Sequence, residues 1–253
     1  MIEYKNRTYR EHLQKERWYS FTVAYKETDL WIGIDQASFQ ESIPIFTESR
    51  IRTLRESMDA YLQNDPDYAT SLVPYEAQPG APTIFQEMSE VARKSGIGPM
   101  SAVAGAVASR IGQEVKEKYG VREIIVENGG DIYADIQENI DISVFAGTSP
   151  LSEKVGFTLR ADHAPLGICT SSGTVGPSLS FGKADAVMII CKDCTLADTY
   201  ATAFANEIKT TDDVAPCVEK IGKTQEILAA ICIKDDKIGI HGIFDLKLFH
   251  SKL

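Results

Sequence analysis

The sequence Glu-Ile-Ile-Val-Glu-Asn-Gly-Gly-Asp-Ile-Tyr-Ala-Asp-Ile, residues 123–136, places two apolar runs on either side of a pair of glycines. Gly129 and Gly130 predict a tight turn, because glycine adopts positive backbone angles at little cost. The runs at 123–126 and 131–136 then predict two consecutive β-strands. The middle of the chain is therefore expected to form part of a β-sheet.

Strand and helix patterns occur in blocks along the rest of the chain. Strands are predicted at 18–25, 30–34, 140–146, 155–159, 167–169, 184–191, 226–233 and 237–240, and helices at 45–63, 82–94, 100–119, 195–206 and 213–221. Residues 63–82 show no sustained period and predict an irregular surface segment. Blocks of strands with inserted helices favour an α+β fold over a doubly wound sheet. Because no short repeat or linker interrupts the pattern, one domain is predicted over residues 1–253.

The composition is that of a globular protein with an acidic surface. Hydrophobic residues make up 43% and charged residues 25% of the 253 residues, and the formal net charge is -10. This sign disfavours nucleic acid as a partner. It leaves room for a small phosphorylated ligand, since a divalent cation supplies positive charge locally. The N-terminal residues show no signal-peptide pattern, and the apolar runs are too short to span a bilayer, so a cytoplasmic protein without membrane attachment is expected.

Five cysteines and four histidines offer little metal or redox chemistry in the sequence. Cys191 and Cys194 have CxxC spacing, but there is no second such pair and the histidines show no ligand spacing. We therefore expect reduced thiols and no disulfide between these two residues. His241 is interpreted as a turn residue rather than a catalytic base, and no residue is assigned a catalytic role.

The turn at Asn128-Gly129-Gly130-Asp131 is the first candidate binding segment. Its side-chain oxygens could face a ligand, since they stand at the end of a tight turn between two strands. The alternative is a hairpin turn with solvated polar flanks, because asparagine, aspartate and glycine all favour turns for conformational reasons.

A loop rich in hydroxyl groups is the second candidate segment. It follows a short apolar strand and reads Thr170-Ser171-Ser172-Gly173-Thr174-Val175-Gly176. Such a loop can direct backbone amides and hydroxyls at one anion, as phosphate-binding loops do. Neither a Walker A motif nor the GxGxxG fingerprint of a Rossmann fold is present. The alternative is a turn whose hydroxyls are purely structural.

The third candidate is the start of the helix at 195–206. Asp198 and Thr202 are four residues apart, so both side chains lie on one face and could offer oxygens to one hard cation. Thr195 is the predicted N-cap of this helix. In the alternative, Asp198 completes a capping box with it. Thr202 would then hydrogen-bond the carbonyl of residue 198.

These three segments, in this order, resemble the motifs of the FAD:protein FMN transferase (ApbE-like) superfamily. That family's Gly-Gly-Asp, Thr-Ser-Gly and Ala-Asp-x-x-Ala-Thr-Ala motifs are similar to residues 129–131, 170–173 and 197–203. A closer likeness, over nearly the whole chain, is to an uncharacterised subgroup of the superfamily. It includes Gly98-Pro99-Met100, the alanine-rich stretch at 102–108 and Gly182-Lys183-Ala184-Asp185-Ala186.

The resemblance implies a T-fold-like architecture of two related halves with FAD or FMN in the cleft between them. It also implies Mg²⁺ held by Asp198, Thr202 and a main-chain carbonyl within residues 102–104, taken as that of Ala104. The metal would neutralise the pyrophosphate, and FMN would pass to a threonine of an acceptor protein. The segments at 128–131 and 170–174 would bind the flavin nucleotide.

The sequence differs from the family motifs at two places that bear on FMN transfer and FAD cleavage. The transferases have a His-x-Ile-x-Asp-Pro stretch after their Thr-Ser-Gly loop, which this chain lacks, and Gly105 stands in place of their lysine. We therefore expect either an enzyme that transfers FMN or cleaves the FAD pyrophosphate, or a flavin or nucleotide binding protein that has lost this chemistry.

Overall fold

The computed structural model describes residues 17–175 and 180–249, within which two antiparallel sheets form. The strands are β1 (Trp18–Tyr25), β2 (Thr28–Asp35), β3 (Ile124–Asn128), β4 (Asp131–Asp135), β5 (Ile140–Ser143), β6 (Val155–Leu159), β7 (Leu166–Ser171), β8 (Ala186–Cys191), β9 (Ile227–Lys234), β10 (Lys237–Gly242) and β11 (Asp245–Leu248). The larger sheet has the order β1-β2-β3-β4-β7-β8-β9-β10, and the smaller has the order β11-β6-β5. Neighbouring strands pair antiparallel throughout the described ranges, so the predicted α+β class is confirmed.

The larger sheet lies between a layer of helices and the smaller sheet. The helices are α1 (Ser42–Asn64), α2 (Pro66–Thr70), α3 (Thr83–Ser95), α4 (Val103–Tyr119), α5 (Cys194–Glu207) and α6 (Val214–Ile221). Side chains of β8 alternate between the two buried faces of the sheet. Val187 and Ile189 pack with the helices, whereas Met188 and Ile190 pack with the smaller sheet. Because both faces are covered, β8 is buried along its whole length.

The strand and helix bounds differ from the sequence prediction at a few places. Within residues 63–82, a short helix, α2, was not predicted. It is held by Tyr68, whose hydroxyl donates to the Phe85 carbonyl at 2.7 Å. Strand β11 was also missed, because its alternation covers only four residues. His241 lies within β10 rather than in a turn.

The start of the predicted helix at 100–119 is a separate short element. Residues Pro99–Ala102 form a 3-10 turn, and α4 begins at Val103. The turn is tied to α5 by Ser101, whose hydroxyl lies 2.8 Å from the hydroxyl of the buried Thr199. The N-terminal end of α4 is therefore fixed against α5. Within the described ranges, no helix has the length and apolar character to cross a membrane.

Candidate functional site

The N-terminal end of α4 is capped by a side chain from α5. The Asp198 Oδ2 atom accepts a hydrogen bond from the Gly105 amide at 2.8 Å, and the Ala104 amide also donates to this carboxylate. The first amides of a helix have no partner within the helix and favour a negative charge. Asp198 therefore stabilises α4 and the junction between the two helices.

Gly105 allows the close approach of α4 and α5. A Cβ atom at this position would lie 2.6 Å from the Cys194 carbonyl oxygen and 2.8 Å from the Asp198 Cβ. Both contacts are shorter than side chains tolerate, and one of them is to rigid backbone. The lysine that stands here in the transferase motif has no space in this chain.

The N-cap of α5 is Asp193, so the prediction of Thr195 as the N-cap is wrong. The Asp193 Oδ1 atom accepts from the amides of Thr195 at 2.8 Å and Leu196 at 3.3 Å. An aspartate two residues before Thr195 satisfies the free amides first. The capping box between Thr195 and Asp198 does not form, and this leaves Asp198 to reach across to α4.

The Asn128–Asp131 turn brings a second carboxylate into the same region. Gly129 and Gly130 have φ values of 71° and 108°, as the glycine pair predicts. The Asp131 carboxyl is buried, and the Thr170 amide and the Cys169 thiol lie close enough to favour its charged form and so lower its pKa. The turn and the hydroxyl-rich loop therefore meet, although about 40 residues separate them in the sequence, because β4 pairs with β7.

Asp131 and Asp198 form a buried pair of like charges. Burial raises the pKa of Asp198 to about 7, despite the hydrogen bonds from the Gly105 and Ala104 amides. Burial, followed by the charge of Asp198, raises the pKa of Asp131 well above its ordinary value. Two carboxylates in such an environment cannot both ionise without a positive partner. The pair therefore favours either a proton on one of the two groups or a bound cation.

Oxygen atoms of the other proposed metal ligands belong to the helices that Asp198 joins. The Ala104 carbonyl, at the start of α4, accepts from the Asn128 side-chain amide at 3.1 Å. Ala104 is the second residue of α4, so its carbonyl also faces the amide four residues further along the helix, and a cation would have to share it with these two donors. The Thr202 hydroxyl donates to the Ser171 hydroxyl at 3.4 Å, rather than to its own helix. Thr202 thus links α5 to the end of β7.

The backbone amides of the hydroxyl-rich loop do not form an anion cradle. The Gly173 amide donates to the Ala184 carbonyl at 2.9 Å. The amides of Thr174 and Val175 both donate to the Ser172 hydroxyl, at 3.0 and 2.9 Å. Our expectation that these amides face a ligand is therefore wrong for residues 173–175, because the Ser172 side chain already binds them. Gly176 lies outside the described residues.

A contact between two cysteine thiols close to the carboxylates was not predicted from the sequence. The Cys169 and Cys194 sulfur atoms are 3.7 Å apart, and the Cys194 thiol also donates to the Ile132 carbonyl at 3.4 Å. Spacing does not reveal this contact, because the two cysteines lie on β7 and α5. Cys191, the CxxC partner of Cys194, ends β8 on the same face of the sheet. All five cysteines are free and buried.

Thiol titration tests this description of the cysteines. We expect the native protein to react slowly with a thiol reagent, because burial raises the pKa of thiols such as Cys169 and shields them. Denatured, unreduced protein should titrate five thiols per chain. A count of three would mean that one disulfide had formed and would contradict the description.

The donor atoms of the site fit a hard cation. Among residues 17–175 and 180–249, no three His, Cys, Asp or Glu side chains converge as a metal-binding group. The oxygen donors in this region are instead two buried carboxylates, a hydroxyl of α5 and a carbonyl of α4. Mg²⁺ prefers this kind of site, since it is held by one or two carboxylates and completes its shell with water and substrate phosphates.

The architecture matches that of solved flavin transferases. A structure described as the flavin transferase ApbE from Vibrio cholerae aligns with a TM-score of 0.58 at 12% identity, over 88% of this chain and 96% of that one. This places the chain in the ApbE fold class.

Relatives and a family model give the narrower assignment. A family model described as "AbpE bacteria" matches residues 10–221. A UPF0280 protein of Methanosarcina acetivorans is 37% identical over 218 residues, which cover 86% of this chain and 84% of the relative. A second, from Methanosphaerula palustris, is 40% identical over 185 residues, or 73% of this chain and 76% of the relative. The chain belongs to the ApbE-like family, in the subgroup formed by the UPF0280 proteins, as the sequence motifs predict.

Proposed function

We propose that this protein binds a flavin nucleotide together with Mg²⁺ where the Asn128–Asp131 turn, β7 and α5 meet. The observation that carries the proposal is the buried carboxylate pair, Asp131 and Asp198, at the N-terminal end of α4. A pair of this kind has a low affinity for a free anion and a high affinity for a cation. A phosphorylated ligand is therefore expected to bind with the metal rather than alone.

The chain's own groups have distinct roles in this proposal. Asp198, Thr202 and the Ala104 carbonyl hold the cation, and Asp131 adds the second negative charge. Asn128 orients the Ala104 carbonyl through its side-chain amide. The Thr170 amide and the Cys169 thiol favour the charged form of the Asp131 carboxyl. When bound, Mg²⁺ would neutralise the charge of the pyrophosphate and the charge that develops on the leaving phosphate.

The proposed reaction is FMN transfer from FAD to an acceptor protein or cleavage of the FAD pyrophosphate. The likeness to ApbE transferases supports flavin chemistry. The second candidate is a flavin or nucleotide binding protein without catalysis. The packing at Gly105 favours this candidate, because it excludes the lysine of the transferase motif.

Product analysis separates the two candidates. Purified protein is incubated with FAD and Mg²⁺, alone and with added acceptor proteins, and the nucleotides are resolved by chromatography. Release of FMN and AMP that depends on Mg²⁺ indicates pyrophosphate cleavage. AMP release without free FMN, together with flavin fluorescence that stays on an acceptor protein after denaturation, indicates transfer. Binding of FAD without either product supports the non-catalytic candidate, and absence of both binding and products counts against the whole proposal.

Replacement of Thr202 by valine tests the hydroxyl ligand. Thr202→Val preserves the shape of the side chain and removes one oxygen from the proposed cation site. We expect Mg²⁺-dependent FAD binding to weaken by about 10-fold, since the carboxylates supply most of the affinity for a hard cation. Thr202→Ser, which keeps the hydroxyl, should bind nearly as well as the parent. Calorimetric titration measures both, and equal weakening in the two variants would point to packing instead.

A further inference from the structure

Asp185 is a buried carboxylate that the proposed cation site does not use. It precedes β8, in the Gly182-Lys183-Ala184-Asp185-Ala186 motif, and only 5% of it is exposed. Its backbone amide donates to the Ile233 carbonyl at 2.9 Å, which fixes it to the neighbouring strand β9. A buried carboxylate needs hydrogen-bond donors for both of its oxygens.

The two oxygens of Asp185 accept from two different segments. The Thr174 hydroxyl, on the hydroxyl-rich loop, donates to Oδ1 at 3.0 Å. The Asp235 amide, in the turn between β9 and β10, donates to Oδ2 at 2.6 Å. Lys234 lies 3.7 Å from the same Oδ2 atom and balances the charge. The carboxylate thus joins the loop to a hairpin turn about 60 residues further along the chain.

The hairpin turn is itself firmly held. Asp235 has a φ of 54°, a left-handed conformation that is uncommon for a residue other than glycine. Its carbonyl accepts from the Ser149 hydroxyl at 2.6 Å, and its side chain lies 2.6 Å from the Lys234 ammonium. Asp185 therefore connects the loop to a turn that is anchored on several sides.

The loop also packs tightly against the segment that carries Asp185. A Cβ atom on Gly173 would lie 2.3 Å from the Gly182 carbonyl, and one on Gly182 would lie 1.8 Å from the Ala205 carbonyl at the end of α5. The amides of the loop are used internally by Ser172 and Ala184. Close packing and internal hydrogen bonds therefore fix the conformation of residues 172–174 without a ligand. The hydrogen bond between Thr174 and Asp185 connects this loop to the sheet.

We infer that Asp185 is a positioning residue for the proposed site: by bonding Thr174 and the Asp235 amide, it fixes the hydroxyl-rich loop, which follows β7, to the turn between β9 and β10. This inference rests on the proposed function only for the consequence that a displaced loop weakens flavin binding. The geometry of the loop itself can be measured without any ligand.

Two pairs of variants test the role of this carboxylate. Asp185→Ala removes both hydrogen bonds, whereas Asp185→Asn can still accept from the Asp235 amide and donate to the Thr174 hydroxyl. Thr174→Val removes the hydroxyl from an exposed position, and Thr174→Ser keeps it. Because Thr174 is exposed, its variants remain informative even if Asp185→Ala fails to fold.

The smaller sheet offers a matched control. There Asp141 accepts from the Thr158 hydroxyl at 2.6 Å and pairs with Lys247 at 2.9 Å. Asp141→Ala and Thr158→Val therefore delete the same kind of bond in a different layer. Neither residue belongs to the proposed site.

The first measurement is amide hydrogen exchange of residues 173–175 in the absence of ligand. We expect Asp185→Ala and Thr174→Val to exchange about 10-fold faster there, since the loop opens locally when its link to the sheet is lost. In the conservative variants and the controls, the exchange rates of residues 173–175 should stay close to those of the parent. Unchanged exchange in Thr174→Val, or equal acceleration in Thr158→Val, would overturn the inference.

The second measurement is calorimetric titration of FAD with Mg²⁺. Asp185→Ala and Thr174→Val should bind about 10-fold more weakly than the parent, and Asp185→Asn and Thr174→Ser should recover most of the affinity. Normal affinity in both deletion variants would overturn the positioning role in binding. A parent that binds no FAD would instead refute the proposed function, and hydrogen exchange would still decide whether Asp185 fixes the loop.

Discussion

Replacement of Asp198 by asparagine is expected to abolish Mg²⁺-dependent FAD binding while the protein stays folded. Asparagine can still accept from the Gly105 amide, so the cap on α4 survives. The change removes one charge from the carboxylate pair, which removes the strongest attraction for a hard cation. We expect the affinity for FAD with Mg²⁺ to fall by at least about 100-fold, or ~2.7 kcal/mol. Calorimetry and thermal unfolding measure the two effects separately.

Asp193→Asn is the control for this substitution. It makes the same change of charge on the same helix, and asparagine is as good an N-cap as aspartate. Asp193 caps α5 by accepting from the Thr195 and Leu196 amides and is no part of the proposed cation site. Its variant should bind like the parent. If Asp198→Asn also binds like the parent, Asp198 only caps α4.

The second large effect is expected in the pH dependence of stability without divalent cations. Burial raises the pKa of Asp198 from 3.8 to about 7, and the pKa of Asp131 is also raised. The folded protein therefore holds protons that the unfolded chain releases. The resulting stability is complete below about pH 4 and is lost as the pH rises through about 7. The contribution of Asp198 is at most about 4 kcal/mol.

Urea unfolding between pH 4 and 8, with a chelator present, measures this effect. Other carboxylates also titrate at the acid end, so the comparison is between the parent and Asp198→Asn. The parent should lose more stability than the variant as the pH rises. Saturating Mg²⁺ at pH 8 should restore the free energy of unfolding of the parent and leave that of the variant unchanged. The reason is that only a bound cation offsets two ionised carboxylates. Parallel curves for the two proteins would contradict the raised pKa.

Local sequence patterns predicted the elements that carry the site. The glycine pair predicted the turn before Asp131, and helical spacing placed Asp198 and Thr202 on one face of α5. These predictions succeed because each depends on the conformation of a few consecutive residues. The order of three such motifs was also enough to indicate the family.

The contacts that define the site could not be predicted in the same way. Asp198 bonds the amide of Gly105, 93 residues earlier, and Cys169 meets Cys194 across a strand and a helix. Such contacts depend on how strands pair and how closely helices pack, which one sequence does not encode locally. The prediction for the amides of the hydroxyl-rich loop was wrong because one local pattern fits two different structures. Ser172 is suited to binding an anion, and its hydroxyl is equally suited to binding the loop's own amides.

The buried carboxylate pair is expected to accept a flavin nucleotide only together with a cation. Calorimetric titration of FAD into the parent protein, with Mg²⁺ and with a chelator, measures this dependence. We predict saturable binding of one FAD per chain with Mg²⁺ and none that is measurable with the chelator, because the acidic pair then leaves the nucleotide phosphates without a positive partner. Equal affinity under both conditions, or no binding under either, would contradict this expectation.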